Sequence, residues 1–255
     1  MRVRWVMPWI LLVTLVAGPG TAMVSARAQR ATSPDHIPRN GLLGHWPLNG
    51  NAHDTSGNGN DGMIVGATPA LGLGGGSFSF DGNDRIVLPN LSFPNSSYTA
   101  SIWMNTTNPP EVNDYRMMID KLDNQAGGPF DLLLGVTSEG RDLGPGFEVW
   151  DGGTGLVGLS EPRLKVWDGR WHMVTAAYKD GVQKLFVDGA LLKEDDFGGP
   201  LPSNHASVTI GGHEGFGPYH HPWIERLDEV VIYDRVLTNL AILRLYQKFA
   251  PPPPG

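Results

Sequence analysis

The sequence predicts an all-β domain, an antiparallel sandwich or barrel closed by one short helix. Three observations carry this expectation. Short runs of β-forming residues recur along the chain without the alternating helices that a parallel sheet would need. Clusters of Gly, Asn and Asp separate those runs, in a chain with 34 glycines and 21 prolines, and such residues favour turns. Eight tryptophans and nine phenylalanines supply a core, while the absence of cysteine means that no disulfide holds the chain together.

The expected strands are 42–48 (LLGHWPL), 63–66, 77–80 (SFSF), 84–88 (DRIVL), 98–104 (YTASIWM), 117–121 and 130–136 (FDLLLGV). They continue at 146–150, 156–160, 171–178 (WHMVTAAY), 183–187 (QKLFV), 207–211 and 226–233 (RLDEVVIY). Asp81-Gly82, Lys179-Asp180-Gly181 and Asp188-Gly189 are hairpin signals. Trp46, Trp103 and Trp171 fall within strand patterns and are read as core. Thr238 is placed to cap a helix over 239–248, with Leu240, Leu243 and Tyr246 on one face.

At the start, Arg2 and Arg4 precede an apolar stretch over 5–17 and a small-residue cleavage pattern at Ala26-Arg27-Ala28. Residues 1–28 therefore read as a secretory signal peptide, too short in apolar length for a spanning anchor. Its removal takes away three arginines and no acid, leaving 16 basic against 26 acidic residues, a net charge of −10. Such a surface repels phosphate backbones, so nucleic acid is excluded as a partner, while cations are favoured. Residues 29–40 read as a polar linker, 41–249 as the domain, and 250–255 (APPPPG) as an extended tail. The expectation is a secreted, extracellular, periplasmic or cell-surface protein with no membrane span after signal removal.

One stretch departs from strand chemistry. Residues 51–62 read NAHDTSGNGNDG and offer Asp54, Ser56, Asn58, Asn60 and Asp61 as oxygen donors, with Gly57, Gly59 and Gly62 letting the backbone fold inward. Calcium takes six to eight oxygens, so a calcium loop is expected. The competing reading is that the same side chains only cap turns. An EF-hand is excluded, because Val65 stands where its bidentate Glu would be.

Five blocks carry a resemblance. GLLGHWPLNGNAHDTSGNGNDG, SFSFDGNDRIVLP, YTASIWM, RWHMVTAAYKDGVQKLFVDG and RLDEVVIYDRVLT are similar, in this order, to laminin-G-like and pentraxin-like domains of the concanavalin A-like class. The resemblance implies two antiparallel sheets packed as a jelly roll, and extracellular binding of glycans or proteins, often with calcium. It also implies that the first and last strands lie together, which suggests Asp228 as the second carboxylate of a structural calcium site with Asp54, Ser56, Asn58 and Asn60. On strict alternation Arg226, Asp228 and Val230 would share one face, and Leu227, Glu229 and Val231 the other.

Catalysis is not expected. A glycoside hydrolase needs two facing carboxylates, and the alternation puts Glu225 and Asp228 on opposite faces, with Glu148 and Asp151 failing likewise. His205, His213, His220 and His221 lack a zinc spacing, and LGLGGGSF (71–78) lacks the Lys-Ser/Thr of a phosphate loop and reads as a flexible connection. In HEGFGPYHHPW, residues 213–223, the side chains of Phe216, Tyr219, His220, His221 and Trp223 form a candidate platform for the apolar faces of sugar rings. The alternative is that Phe216 and Trp223 plug one end of the sandwich. Asn90, Asn95 and Asn105 match glycosylation sequons. The combined expectation is a non-catalytic binding module for carbohydrate or an extracellular protein. A purely adhesive domain, or a polysaccharide-cleaving enzyme, are the alternatives.

Overall fold

Two antiparallel sheets account for almost every strand expected from the sequence. The computed structural model describes residues 37–89, 91–94, 96–111, 116–122, 130–139, 142–150, 156–198, 201, 205–213 and 222–252. The signal peptide and most of the linker expected at 29–40 lie outside these residues. One sheet, sheet A, runs β13 (Ala190–Asp196), β12 (Val182–Val187), β11 (His172–Lys179), β6 (Ser97–Asn105), β15 (Ile224–Tyr233), β4 (Ser77–Asp81), β3 (Thr68–Ala70), with β1 (Leu42–Trp46) also on β15. The other, sheet B, runs β10 (Leu156–Ser160), β9 (Asp142–Trp150), β8 (Phe130–Glu139), β7 (Arg116–Leu122), β14 (Val208–Ile210), β5 (Arg85–Leu88), β2 (Met63–Val65).

The core between the sheets is built from alternate residues of each strand. Tyr98, Ala100, Ile102 and Met104 of β6 meet Ile86, Leu88, Leu134, Phe147 and Ile210 of sheet B. Trp46 is buried among them, as expected. A second, smaller core covers the opposite face of sheet A, where Trp103, Met173, Phe186, Val231 and Tyr233 pack under helix α1 (Asn239–Phe249). Trp103 stacks on Tyr246 with ring centroids 5.4 Å apart. Trp171 is only half-buried, with the Arg226 guanidinium 5.6 Å above its ring.

Thr238 caps α1 by accepting the Ala241 amide, as the sequence predicts. Of the stripe expected from the sequence, Tyr246 packs against the sheet, stacked on Trp103. Ile242 and Leu245 are buried, whereas Leu240 is 56% exposed and Leu243 is exposed as well. Both stripes carry apolar residues at helical spacing, so periodicity does not choose between them. Leu237, buried just before the cap and held by its amide to Thr99 Oγ1, sets the phase.

Asp180-Gly181 and Asp188-Gly189 have positive φ at both residues, the primed turn that suits tight hairpins, and they join β11 to β12 and β12 to β13. Asp81-Gly82 is not a hairpin: it carries the chain from β4 in sheet A to β5 in sheet B. Two strands were not expected. β3 contains Pro69, which an edge strand tolerates, and β13 ends in the charged run Lys193–Asp196. At that edge Lys193 reaches across to the Ser160 carbonyl and Glu161, linking the two sheets.

Candidate functional site

The NAHDTSGNGNDG loop closes on itself. Asp54 Oδ1 accepts the amides of His45 (3.0 Å) and Ser56 (2.8 Å). Its Oδ2 accepts the Ser56 hydroxyl (2.8 Å) and the Asn60 amide (3.0 Å). Burial opposes the Asp54 charge, but the Ser56 hydroxyl and these amides outweigh it and hold the carboxyl below its ordinary value. Asn58 Nδ2 donates to the Leu42 and Leu43 carbonyls, and Asn60 Nδ2 to Leu43. Asp61 accepts the Asp54 amide. Asp54 thus organises the loop, and its bond to His45 together with the Asn58 and Asn60 amide groups ties the loop to β1.

The first and last strands do lie together, with His45 opposite Val231 and Trp46 opposite Val230. Asp228 does not join Asp54, however; the two carboxylates share no donor. Asp228 is 0% exposed and accepts the Leu73 amide at 2.7 Å and the Glu229 amide at 2.8 Å. Burial pushes its carboxyl up to about 8, helped by the neighbouring Glu229 charge and opposed by the two amides. Strict alternation in β15 fails here. The register shifts between Asp228 and Val231, Glu229 adopts φ +45°, and Val230 joins Leu227 and Ile232 in the inter-sheet core. The bulge marks the place where β15 leaves β4 and takes up β1.

The glycine run over Asp228 is no slack connection. A Cβ on Gly72 would lie 2.1 Å from the Gly76 carbonyl and 2.5 Å from Asp228 Oδ2, so glycine is what lets this loop reach the carboxylate. Among the described residues no group of three or more His, Asp or Glu side chains is placed to hold a metal ion. Glu225, the partner considered for Asp228 in hydrolysis, accepts the amide and hydroxyl of Thr107. The Asn105 sequon is buried, its Nδ2 donating to Gly169 and its Oδ1 accepting from Arg226; Asn90 and Asn95 lie outside the described residues.

A polar cluster that the sequence did not point to sits on the face of sheet B turned away from sheet A. Val87, Thr209 and Asp120 are Cα partners across β5, β14 and β7, and the row continues through the Leu133 position to Glu148 and Gly158. Their chain neighbours Ile86, Leu88, Val208, Ile210, Ile119, Phe147 and Val149 belong to the inter-sheet core. Asp120 is nevertheless 1% exposed. Its Oδ1 accepts the Thr209 hydroxyl at 3.1 Å. Its Oδ2 accepts no hydrogen bond, and His213 Nδ1 stands 3.4 Å from it.

The aromatic segment starts at this cluster. Phe216, Tyr219, His220 and His221 lie outside the described residues, but both flanks of that segment are fixed. The Gly211 amide bonds to Met118, the Trp223 amide bonds to Gly211, and Arg116 Nη1 donates to the Pro222 carbonyl. Trp223 itself is 1% exposed and packs in the inter-sheet core. It is therefore a core plug and leaves the platform expected for it; a large apolar ring gains more from burial than from display.

Comparison with known proteins agrees with this architecture. Residues 80–243 match the family described as the concanavalin A-like lectin/glucanases superfamily. The chain belongs to that family, and its two-sheet jelly roll is the fold the five sequence blocks predicted. Domain 4 of AbnA, a GH43 extracellular arabinanase from Geobacillus stearothermophilus solved with arabinotriose, is similar over 81% of this chain and 98% of its own, with TM-score 0.64 at 20% identity. The binding domain of Paraclostridial Mosquitocidal Protein 1 aligns at TM-score 0.63 and 14% identity over 82% of this chain and 52% of its own. A botulinum neurotoxin serotype D ligand-binding domain solved with N-acetylneuraminic acid aligns at 0.60 and 17%, over 84% and 52%. The chain spans about half the length of these toxin domains. No curated protein matches the sequence. No helix among the described residues is long and apolar enough to cross a membrane.

Proposed function

We propose that the chain is a non-catalytic carbohydrate-binding module of an exported protein. Sugar binds at the end of sheet B where Asp120, Thr209 and His213 lead into residues 214–221. One observation carries this reading: Asp120 Oδ2 is a buried acceptor that receives no hydrogen bond, with His213 Nδ1 3.4 Å away. Leaving such a group unsatisfied costs about 1–3 kcal/mol, and proteins keep that cost at functional sites more readily than elsewhere. A sugar hydroxyl is a suitable donor. Phe216 and Tyr219, a few residues along the chain, supply apolar faces for the ring, and His220 and His221 supply polar contacts. The family and the sugar-bound relatives support a binding role, and the extracellular arabinanase supports export. The face of sheet A that carries α1 is filled by its own second core, which leaves sheet B as the open choice.

The experiment is calorimetry of the mature chain against a panel of extracellular polysaccharides and oligosaccharides, repeated with Asp120→Asn. Binding that weakens about tenfold or more, equivalent to about 1.4 kcal/mol, is expected, with melting temperature unchanged or raised. Unchanged affinity in Asp120→Asn would remove the carboxylate from the site. A chain that binds no glycan in the panel would be an adhesive domain instead.

A further inference from the structure

Residues 51–62 offer oxygens enough for calcium by number, and the hydrogen bonds of Asp54 and Ser56 show how theirs are used. A carboxylate is acceptor-only, with about four lone-pair positions. Asp54 has four donors on them, from His45, Ser56 (twice) and Asn60. Three of these are main-chain amides, which point the positive ends of N–H dipoles at the place a cation would stand. The Ser56 hydroxyl hydrogen goes to Asp54, and the Asn58 and Asn60 amide groups donate to β1 carbonyls. Calcium requires oxygens turned inward at roughly 2.3–2.6 Å. These residues do not fit it.

The link between the two ends of the domain is made by other means. His45, on β1, places Nε2 2.7 Å from Glu229 Oε2 on β15 and Nδ1 2.8 Å from Thr55 Oγ1 in the loop. Phe249 of α1 lies against the same imidazole, with ring centroids 6.0 Å apart. Glu229 reaches His45 from the bulge, in a left-handed conformation that strains a non-glycine residue. Such strain persists only where surrounding contacts hold it.

We infer that residues 45–61 and Glu229 form a metal-independent clasp: Asp54 organises the loop, and the Thr55–His45–Glu229 chain fastens it to the last strand. This does not depend on the sugar-binding reading. The test is titration of the exhaustively chelated mature chain with calcium chloride by calorimetry, with melting followed in calcium and in EDTA. No saturable heat and an unchanged melting temperature are expected. His45→Ala should lower the melting temperature by roughly 3–12 °C, on the worth of hydrogen bonds to charged groups and the size of the domain, and equally in calcium and EDTA. Saturable binding that raises the melting temperature and disappears in Asp54→Asn would overturn the inference. If Asp54→Asn does not fold, a calcium-dependent rise in the wild type together with a His45→Ala shift seen only in EDTA overturns it equally.

Discussion

Trp103→Ala is expected to destabilise the domain by about 3–5 kcal/mol, the usual cost of deleting a fully buried tryptophan side chain. For a domain of this size that is a fall in melting temperature on the order of 10 °C. Trp103 is 0% exposed, sits opposite Met173 and Asp228 in the register, and stacks on Tyr246. Its removal opens the layer between sheet A and α1, so helical signal should be lost before the sheets unfold. Leu240→Ala, on the solvent side of the same helix, should stay within about 0.5 kcal/mol of the wild type. Thermal melts followed by circular dichroism in the far ultraviolet compare the two. Equal losses would mean that α1 packs through the other stripe.

The second large effect is on pH. Stability should be greatest at about pH 4 and fall as the pH rises from there towards 8. Asp228, raised from 3.8 to about 8 by burial, keeps a proton in the folded chain that the unfolded chain has released. Across that window each unit of pH favours unfolding by up to about 1.4 kcal/mol. His172 acts in the same direction. Burial lowers its value, but the Asp188 and Asp168 carboxylates on its two ring nitrogens raise it above 6.5. Its contribution is complete below 6.5 and lost as the pH climbs through the raised folded value.

On the acid side the signs reverse. Asp168 is held at about 2: burial opposes its charge, and Arg170 and His172 outweigh burial. Asp54 is lowered as well. Both support the fold above 3.8 and lose that contribution as the pH falls. Asp228→Asn should flatten the profile above neutrality and lower its maximum, because an amide nitrogen must then face either the Leu73 or the Glu229 N–H. Melting temperatures from pH 3 to 9 for both chains test this. A wild-type profile that is level from 6 to 8 would contradict it.

The sheets were legible because alternation and turn chemistry are local. YTASIWM reads as a strand with two faces wherever it lies, and Asp-Gly at φ positive needs no partner to be recognised. β3 and β13 escaped because a proline and a charged run contradict strand propensity, and only an edge position tolerates them. The bulge at Glu229 escaped for a different reason. It arises from the exchange of β4 for β1 beside β15, which no stretch of RLDEVVIY reveals. NAHDTSGNGNDG could not be decided from composition, since Asp, Ser and Asn serve a calcium ion and a turn equally well; only the direction of the donors separates them. Asp120 and His213 stand 93 positions apart in the chain, and Thr209 meets Asp120 only because β14 inserts between β5 and β7. That site depends on strand order, which alternation does not supply.

The central claim is that ligand meets the face of sheet B around Asp120. Hydrogen exchange of the mature chain, with and without a saturating glycan taken from the binding panel, tests it most directly. Added protection confined to 116–122, 208–213 and the 214–221 segment is the expected result. Protection centred on α1, β13 or residues 71–76, with none around Asp120, would contradict it.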